Sequence, residues 1–361
     1  MTTIPSKGAP FAIAVVAAIL ALPGAVLAAD NPIYTYSGAD RAQKILDGAR
    51  KEGKVVVYSS MIVDQALRPI GDGFQARYPA VKFEFWRGDN REIVQKITVE
   101  KRASKQIADV VESSGVAGPL VAAATTQKFA TPLAVHYAAQ HIDPNGMYIA
   151  SRLSYFGLAY NTKQVDAALL PKTYKDLLDP KYKDKLSWRA QSESGADLFM
   201  TMILKTLGEK AGEDYLKTLA KQNVVNYTGS ARALVDRVGQ GEYAMAINIF
   251  AHHPLISKEK GAPLDVKMMA PIPSIPNVVM AVKDAPHPHA AMLFIDYILS
   301  TEAQVILQKA DYFPPHQDVA PDPKLAKILP KNAGMKEEVV SSEEIFEYGP
   351  RVQKLYEEFF K

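Results

Sequence analysis

A polar turn in the middle of the chain carries residue types that can hold an anion. Ser192, Ser194 and Gly195 precede a run whose hydrophobic residues recur at helical spacing from Ala196 onward. Serine accepts hydrogen bonds from the first N–H groups of a helix, and glycine lets the backbone approach a ligand closely. Because those N–H groups and the helix dipole favour negative charge, and because Arg189 would add a guanidinium, we expect an anion site here. The alternative is that Ser-Gly only caps the helix.

Short polar residues also follow three predicted strands in the first half of the chain. In an open α/β sheet, ligands bind beyond the carboxyl ends of the strands. Each group alone is ordinary turn chemistry, but three groups on one rim indicate a polar ligand site. The candidates on this rim are Ser59, Ser60, Asn90, Ser113, Ser114 and Gly115.

Three more residues are candidates for the same ligand. Ser230 is a predicted N-cap and would give a second helix start able to face an anion. Asn248 is the one polar residue in the apolar run 244–250, so it either satisfies a neighbouring group or points at the ligand. Tyr155 lies in a predicted strand, where its ring either stacks on the ligand or packs in the core.

Motifs for catalysis and metal binding are absent from the sequence. There is no G-x-S-x-G, H-E-x-x-H, G-x-x-x-x-G-K-[ST] or strand-linked G-x-G-x-x-G motif, and there is no cysteine. His252 and His253 form the best metal candidate, but adjacent residues on a strand point to opposite faces, so at most one would reach a site. We therefore predict no enzyme, no resident metal and no cofactor, and we keep His252 as a candidate for contact with the solute.

The elements that must position these residues alternate between strand and helix. The first third of the chain reads β-α-β-α-β, which is typical of a doubly wound α/β domain. Its predicted helices are 39–51, 64–78 and 92–103, and its predicted strands are 54–60, 81–86 and 108–112. A further helix is predicted over 118–139.

The second half repeats this α/β pattern, so the chain is predicted to form two lobes of similar size. A proline-rich bend is predicted at 271–276, and a last helix at 341–360. The strands predicted in this half are 152–161, 186–191, 224–226, 244–250, 266–269 and 278–282.

The N-terminus reads as an export signal. Lys7 precedes the apolar run 8–22, and small residues follow up to Ala28, so we predict a signal peptide over 1–28. The run is shorter than the about 20 residues that a membrane span needs, and no later stretch is as apolar. We therefore expect a protein that is not inserted in a membrane after cleavage. The absence of cysteine suits the bacterial periplasm.

The composition fits a globular, soluble chain, and its charge balance does not suggest a nucleic-acid-binding protein. Of the 361 residues, 48% are hydrophobic and 22% are charged, and the formal net charge is +3. Proteins that bind nucleic acid usually concentrate basic residues on one face, and no such concentration is visible here.

Several segments, in their order along the chain, resemble a known family. KVVVYSS, IADVVESSG, FGLAYNTKQV, ESGADLF and GQGEYAMAIN are similar to segments of the periplasmic solute-binding proteins of bacterial ABC importers, in the branch that includes ferric-iron-binding proteins. The resemblance covers nearly the whole mature chain. It implies an α/β, two-lobed periplasmic-binding-protein fold, with hinged lobes that each have a central sheet flanked by helices. It also implies a monomer that delivers its solute to an inner-membrane ABC permease.

The resemblance suggests a division of the chain and a set of ligand contacts. Residues 29–152 would form the first lobe, 153–282 the second lobe with hinge strands at its edges, and 283–361 C-terminal helices packing mainly on the first lobe. Ser194, Gly195 and Ala196 match the family's anion-binding turn, and Asn248 matches an asparagine that helps to hold the anion. Ser59 and Ser60 match the wall of the first lobe.

One departure from the resemblance bears on the solute. Ferric-binding members carry two tyrosine ligands shortly after the asparagine, whereas Ile249, Phe250 and Ala251 stand here. Fe(III) prefers anionic oxygen ligands, which these side chains cannot supply. We therefore expect a small anionic solute, organic or phosphorylated. The alternatives are ferric iron or an iron chelate, held with the help of His252, and a subunit that presents its ligand to a periplasmic sensor.

Overall fold

Two long strands, Ile149–Asn161 and Ile272–Val282, cross the middle of the molecule and organise its fold. The computed structural model describes residues 1–3 and 31–361. The predicted signal peptide therefore lies almost entirely outside the described residues. The strands are β1 Lys54–Ser59, β2 Lys82–Arg87, β3 Val110–Ser114, β4 Thr126–Gln127, β5 Ile149–Asn161, β6 Leu186–Arg189, β7 Val225–Tyr227, β8 Met245–Phe250, β9 Leu264–Lys267, β10 Ile272–Val282 and β11 Glu337–Val339.

Helices alternate with these strands as the periodicity of hydrophobic residues predicts. Short 3₁₀ turns and a π-helical turn at Val63–Leu67 link some of them. The α-helices are α1 Arg41–Glu52, α2 Arg68–Arg77, α3 Asn90–Arg102, α4 Ala117–Ala122, α5 Ala196–Leu207, α6 Glu209–Ala220, α7 Ala231–Gln240, α8 His252–Glu259, α9 Pro288–Ile298, α10 Thr301–Lys309, α11 Pro330–Ala333 and α12 Ser342–Phe359.

The sheet has two parallel ends joined by antiparallel strands. Its order is β2-β1-β3-β10-β5-β8-β6-β7. β1 pairs in parallel with β2 and β3, and β6 pairs in parallel with β7 and β8. β5 pairs with β10 through its first half and with β8 and β9 through its second half. We call the β1–β3 end with its helices the first lobe and the β6–β8 end the second lobe, and β5 runs from one to the other.

Each lobe has its own hydrophobic core. In the first lobe, Ile45 of α1, Phe74 of α2 and Phe294 of α9 are fully buried against the sheet. In the second lobe, Trp188 of β6 and Phe199 of α5 are completely buried. Burying apolar area at about 25 cal/mol per Å² stabilises each lobe, and it fixes the strand ends that carry the polar residues.

The C-terminal helices divide between the two cores. α9 and α10 contribute to the core of the first lobe, in line with the expectation for 283–361. α12 differs from it, since Val352 and Leu355 pack in the core of the second lobe. α12 contacts α4 of the first lobe as well, so it spans both. The lobe boundaries drawn from the sequence remain a prediction.

Two predicted elements differ from the structure for local reasons. The region 118–139, predicted to be helical, is helical only in α4 and then turns into β4 and 3₁₀ segments, because the β-branched Thr125 and Thr126 favour a strand and Pro132 disfavours a helical conformation at Thr131. The predicted bend at 271–276 lies mostly within β10. Pro273 and Pro276 fit there because proline favours an extended backbone where its missing N–H is not needed.

Among residues 1–3 and 31–361, no single helix is long and apolar enough to cross a membrane. α9 and α10 meet that criterion only when they are taken together, and they are bent by 62° relative to each other.

Candidate functional site

Both lobes contribute to a polar cavity of about 260 Å³, which we call the cleft. It has one feature that distinguishes it from an ordinary surface groove, a concentration of arginines from four different elements. Its charged and titratable lining residues are Arg87, Arg152, Arg189, Arg232, Asp89, Glu92, His252, His253 and Tyr312. Its hydroxyl and amide lining residues are Ser60, Ser114, Ser194, Thr228, Ser230, Asn90 and Asn277.

The wall from the first lobe is a connected network of small neutral groups. The Oγ atom of Ser113 lies 2.8 Å from Ser60 Oγ and 2.9 Å from Asn90 Oδ1. Asn90 Nδ2 in turn donates to Ser114 Oγ at 3.3 Å. The N-terminus of α3 fixes Asn90, because Asp89 caps that helix by accepting from Glu92 N at 3.0 Å. These groups can donate to or accept from a solute without adding charge.

The wall from the second lobe is centred on Arg189 at the end of β6. Its Nε donates to the carbonyl oxygen of Gly229 at 3.0 Å, and its Nη1 donates to Ser194 Oγ at 3.4 Å. Its Nη2 lies 3.7 Å from the carboxylate of Asp89 in the first lobe. Burial lowers the pKa of Arg189, since it disfavours the charged form. An anion in the cleft would therefore relieve an incompletely compensated charge.

Two helices begin at this wall. α5 begins at Ala196, and no side chain hydrogen-bonds to its cap. α7 begins at Ala231, and Ser230 Oγ accepts from Ala233 N at 3.1 Å. Ser230 and Ala231 at the start of α7 line the cleft, whereas at α5 only Ser194, two residues before the helix, lines it. Free N–H groups at a helix start, together with the helix dipole, favour bound anions.

Gly195 and Asn248 hold the turn that precedes α5. A Cβ atom on Gly195 would lie 2.4 Å from the carbonyl oxygen of Arg189, so only glycine fits there. Asn248 Nδ2 donates to the carbonyl oxygen of Gly195 at 2.7 Å. Its backbone φ of 54° lies in the left-handed region, which asparagine tolerates better than most residues. Asn248 therefore supports the turn from behind and does not line the cleft.

Two arginines reach the cleft from strands, one from β2 of the first lobe and one from β5, which runs between the lobes. Arg152 lies on β5, and its Nε donates to Glu112 Oε1 at 3.0 Å in a buried ion pair. Its guanidinium lies 4.6 Å from the centre of the Tyr312 ring. Arg87 ends β2, and within the described part of the chain no carboxylate lies within ion-pair distance of it. Arg87 is therefore the most available cation of the cleft.

A larger cavity, of about 650 Å³, adjoins the same turn and has a different lining. Val94 of α3 and Phe346 of α12 give it an apolar floor. Arg91 crosses its edge and pairs with Glu193 at 2.9 Å and with Asp197 at 3.3 Å. We call it the second cavity.

A family comparison decides what class of protein this cleft belongs to. Residues 104–336, well over half of the chain, match the family model described as bacterial extracellular solute-binding protein. The chain belongs to this solute-binding family. It is a periplasmic solute-binding protein of the kind that serves ABC importers, and it has the two-lobed α/β fold that the resemblance implied.

Individual relatives place the solute-binding protein among proteins with different cargoes. It is 26% identical over 234 residues, 62% of this chain and 68% of the relative, to a Salmonella typhimurium protein named as 2-aminoethylphosphonate-binding and periplasmic. Among solved structures, iron-bound HitA of Pseudomonas aeruginosa has a TM-score of 0.73 and 22% identity, covering 85% of this chain and 99% of HitA. AfuA of Actinobacillus pleuropneumoniae with fructose-6-phosphate has a TM-score of 0.71 and 22% identity, covering 85% of this chain and 98% of AfuA.

The structure brings about half of the sequence-derived candidates to the cleft. Those that line it are Ser60, Asn90, Ser114, Arg189, Ser194, Ser230 and His252. Ser59 lies behind the wall and donates to Glu112 Oε2 at 2.7 Å. Tyr155 packs on Phe313, with ring centres 5.0 Å apart. Those that support the wall or lie elsewhere are Ser59, Ser113, Gly115, Tyr155, Gly195, Ala196 and Asn248, of which Gly115 lines the second cavity.

His252 and His253 correct one expectation. They were expected on a strand with opposite orientations, but they begin α8 and both line the cleft. The chain turns into a helix directly after β8, so consecutive side chains are separated by about 100° and not by 180°. The two rings contact each other, with centres 4.5 Å apart.

The sequence reasoning missed three cleft arginines, Arg87, Arg152 and Arg232. A signal was present for Arg152, because a charged residue inside an otherwise buried strand needs a partner or a ligand. Arg87 and Arg232 gave no such signal, since arginine at a strand end or in a first helical turn is usually solvent-exposed.

Among the described residues, one group could bring three metal ligands together, and it does not line the cleft. It consists of His136, His316 and Asp318. Hydrogen bonds already engage these groups, since Asp318 N donates to His316 Nδ1 at 3.2 Å and the Asp318 carboxylate lies 2.9 Å from His136 Nδ1.

Proposed function

We propose that this solute-binding protein captures a small organic oxyanion in the cleft, namely a phosphonate or a phosphate ester, and releases it to an inner-membrane permease. The observation that carries the proposal is the convergence of four arginines, the start of α7 and Ser194 from the turn before α5 on one polar cavity. Arginine presents a planar set of donors that matches phosphate geometry. Helix starts favour the same negative charge without adding mobile side chains.

The remaining lining residues suit the organic part of such a solute. Asp89 and Glu92 lie on the first-lobe side and could accept hydrogen bonds from an ammonium or hydroxyl group. Ser60, Ser114 and Asn90 can donate and accept as the solute requires. A cavity of about 260 Å³ admits a small molecule and excludes a polymer.

The relatives support an oxyanion as the cargo. One curated relative is named for 2-aminoethylphosphonate, and one structural neighbour holds fructose-6-phosphate. Both molecules combine a doubly ionisable phosphorus oxyanion with a polar organic group. We infer that the solute of this protein has the same two parts.

Ferric iron fits the cleft less well. Tyr312 is the one phenol among its lining residues, and burial raises the pKa of that phenol, which disfavours the phenolate that iron needs. Four guanidinium groups would also repel a trivalent cation. We further propose that the protein acts as a monomer, has no catalytic activity and uses no cofactor.

A ligand screen on the purified mature chain tests the proposal. The panel contains inorganic phosphate, sulfate, 2-aminoethylphosphonate, fructose 6-phosphate, uncharged fructose and ferric citrate, with thermal shift as the first readout and calorimetry as the second. We expect stabilisation by at least one phosphorus oxyanion and none by fructose. Stabilisation by ferric citrate alone, with iron retained after dialysis, would refute the proposal in favour of iron uptake.

Variants show whether binding occurs in the cleft. Arg87→Gln removes an exposed cation that has no ion-pair partner among the described residues, so the fold should be unaffected while oxyanion affinity falls about tenfold. Arg50→Gln is a matched control, since Arg50 is an exposed arginine on α1 outside the cleft. Equal affinities for wild type and Arg87→Gln would place the anion elsewhere.

A further inference from the structure

The cleft contains two buried histidines whose hydrogen bonding is incomplete. His252 is 1% exposed and His253 is 6% exposed, and both line the cavity. Neither ring nitrogen of His252 has a hydrogen-bond partner within the described chain, and Nδ1 of His253 has none either. Leaving buried polar atoms unpaired is costly, typically about 1–3 kcal/mol each. Groups of this kind, aimed into a solute site, indicate a partner on the solute.

Most arginines around the cleft already face a carboxylate, so little positive charge remains to neutralise a dianion. Arg152 pairs with Glu112 at 3.0 Å, Arg232 with Asp236 at 3.1 Å, and Arg189 faces Asp89 at 3.7 Å. Glu92 lines the cleft as well, but it is not within ion-pair distance of Arg87, which has no such partner among the described residues. Three of the four arginines thus face a carboxylate, and Arg87 is left to interact with an anion. A doubly charged solute would bring more negative charge than Arg87 alone can neutralise.

The imidazoles of His252 and His253 are the groups in the cleft that could supply further positive charge, by taking up a proton. Burial lowers the pKa of His253 to about 3, and the neighbouring Arg232 and Arg152 add to the effect. The pKa of His252 is lowered well below its usual value, mainly by burial and then by His253, Arg152 and Arg232. Both rings are therefore neutral in the empty cleft at pH 7, and a nearby anion would oppose each of these causes.

The groups that face the pair from neighbouring elements are mostly cationic. Lys258 of α8 itself is paired with Asp265 of β9 at 2.6 Å, and Asp311 is paired with Lys324, so neither carboxylate is free to draw a proton to the histidines. The groups that face the pair are Arg152 from β5, Arg232 from α7, and Tyr312 from the segment after α10, whose ring centre lies 5.6 Å from that of His252.

We propose that His252 and His253 are the proton-accepting part of the solute site, so that binding of a doubly charged oxyanion draws at least one proton onto this pair and the resulting imidazolium donates a hydrogen bond to an anion oxygen. This inference rests on the proposed function of the cleft. The protein would then discriminate between solutes by charge as well as by shape. A dianion would be preferred, because a monoanion would not compensate the free-energy cost of charging a buried imidazole.

The direction of the pH effect follows from linkage. The free protein has the lower histidine pKa and the complex the higher one, so the complex holds more protons between those two values. Affinity therefore rises as the pH falls through that window, by up to about tenfold per pH unit for each proton taken up. Below the pKa of the free form the effect ends, because both states are then protonated.

Calorimetry on the wild-type protein tests the inference without any substitution. The tightest binder among inorganic phosphate, sulfate, 2-aminoethylphosphonate and fructose 6-phosphate is titrated at pH 7 in two buffers of different ionisation enthalpy. After subtraction of the protons that the free anion releases when it binds as a dianion, a difference in observed heat that corresponds to uptake of about one proton by the protein supports the inference. No uptake by the protein after that subtraction, with tight binding, would overturn it while leaving the proposed function intact. No binding of any of the four anions would overturn the proposed function itself.

Variants assign the proton to these residues. His252→Gln and His253→Gln keep a side chain that can donate a hydrogen bond but cannot ionise. We expect the affinity of the double variant, in which neither side chain can ionise, to lose the wild-type dependence on pH between 8 and 6, apart from the ionisation of the free anion, which is common to all titrations. His141→Gln is the control, since His141 lies outside the cleft and burial also lowers its pKa. Proton uptake that persists in the double variant would refute the assignment.

Discussion

The cleft and the second cavity adjoin the same turn, yet only one of them is equipped for an anion. The second cavity is larger, about 650 Å³ against about 260 Å³. Its one arginine, Arg91, already pairs with two carboxylates, and much of its remaining surface is apolar. In the cleft, four arginines and two histidines converge, and three ring nitrogens of the histidines have no hydrogen-bond partner among the described residues. Unmet polar groups, and not volume, favour the cleft as the proposed solute site.

The two cavities differ in charge because neighbouring residues of the same segment face different cavities. Ser194 faces the cleft, whereas Glu193 and Asp197 face the second cavity. On the first lobe, Asn90 lines both cavities and Arg91 lines only the second. Neighbouring residues thus differ in role: one set lines the proposed solute site, and the other closes an ion pair between the lobes.

The largest effect should come from removing the arginine at the centre of the cleft. Arg189→Gln loses a guanidinium that bonds Gly229 and Ser194, so we expect the Kd for the oxyanion to rise about 100-fold, or about 3 kcal/mol. Calorimetry measures the change. The matched control is Arg91→Gln, at the second cavity, which should weaken binding by less than about fivefold because its ion pairs are half-exposed. Similar losses in both variants would remove the distinction between the two cavities.

A smaller effect is expected from the residue that supports the turn between the cavities. Asn248→Ala loses the bond to Gly195 and places alanine at a φ of 54°, at a combined cost of about 2–3 kcal/mol in unfolding free energy. Asn248→Gly loses the bond without the backbone strain, so about 1 kcal/mol is expected. Urea denaturation separates the two terms, and equal losses would show that the left-handed backbone carries no cost.

At the second cavity, removing the negative charge of Asp197 should raise the free energy of unfolding at neutral and higher pH. Burial, and then the neighbouring Glu193, raise the pKa of Asp197 to about 6 from 3.8. The folded protein then binds this proton more tightly than the unfolded chain, so wild type loses stability as the pH rises from about 4 to about 6. Asp197→Asn should therefore be more stable than wild type at pH 8, by about 1–2 kcal/mol, and equal to it below pH 4. Denaturation at both pH values checks the sign.

The smallest effect is expected where the second cavity is most apolar. Phe346 is 51% exposed on α12, so Phe346→Ser should change the oxyanion Kd by less than about twofold and the stability by less than about 0.5 kcal/mol. The same titration used for Arg189→Gln measures it. A marked loss of affinity would mean that the larger cavity takes part in binding the solute.

Much of the fold was predictable because hydrophobic spacing fixes the elements. The hydrophobic spacing from Ala196 onward predicted the start of α5, and the β-α-β-α-β pattern of the first lobe predicted the first three strands to within about two residues. The polar turn before α5 was predictable from the local signals Ser194 and Gly195, and its role in binding an anion stays a prediction. His252 and His253 were misplaced because a helix starts directly after β8, and no local pattern separates a strand end from a helix start there.

The arginines of the cleft were harder to predict, because they are far apart in the sequence. Arg87, Arg152 and Arg232 meet only when β2, β5 and α7 are assembled. The role of Asn248 also depends on assembly, since its partner Gly195 lies 53 residues away. Spacing along one chain shows which residues can bind an anion, whereas tertiary structure decides which of them face it.

The ion pairs that join the lobes have a consequence for measuring affinity. Arg91 with Glu193, and Arg189 with Asp89, attract the lobes to each other without any contribution from a solute. Dissolved salt screens such half-exposed pairs, over a Debye length of about 8 Å at physiological ionic strength. Added salt therefore lowers the population of closed protein as well as competing for the cleft, and apparent affinity scales with that population. A salt series on Arg91→Gln beside wild type separates the electrostatics of closure from those of the solute.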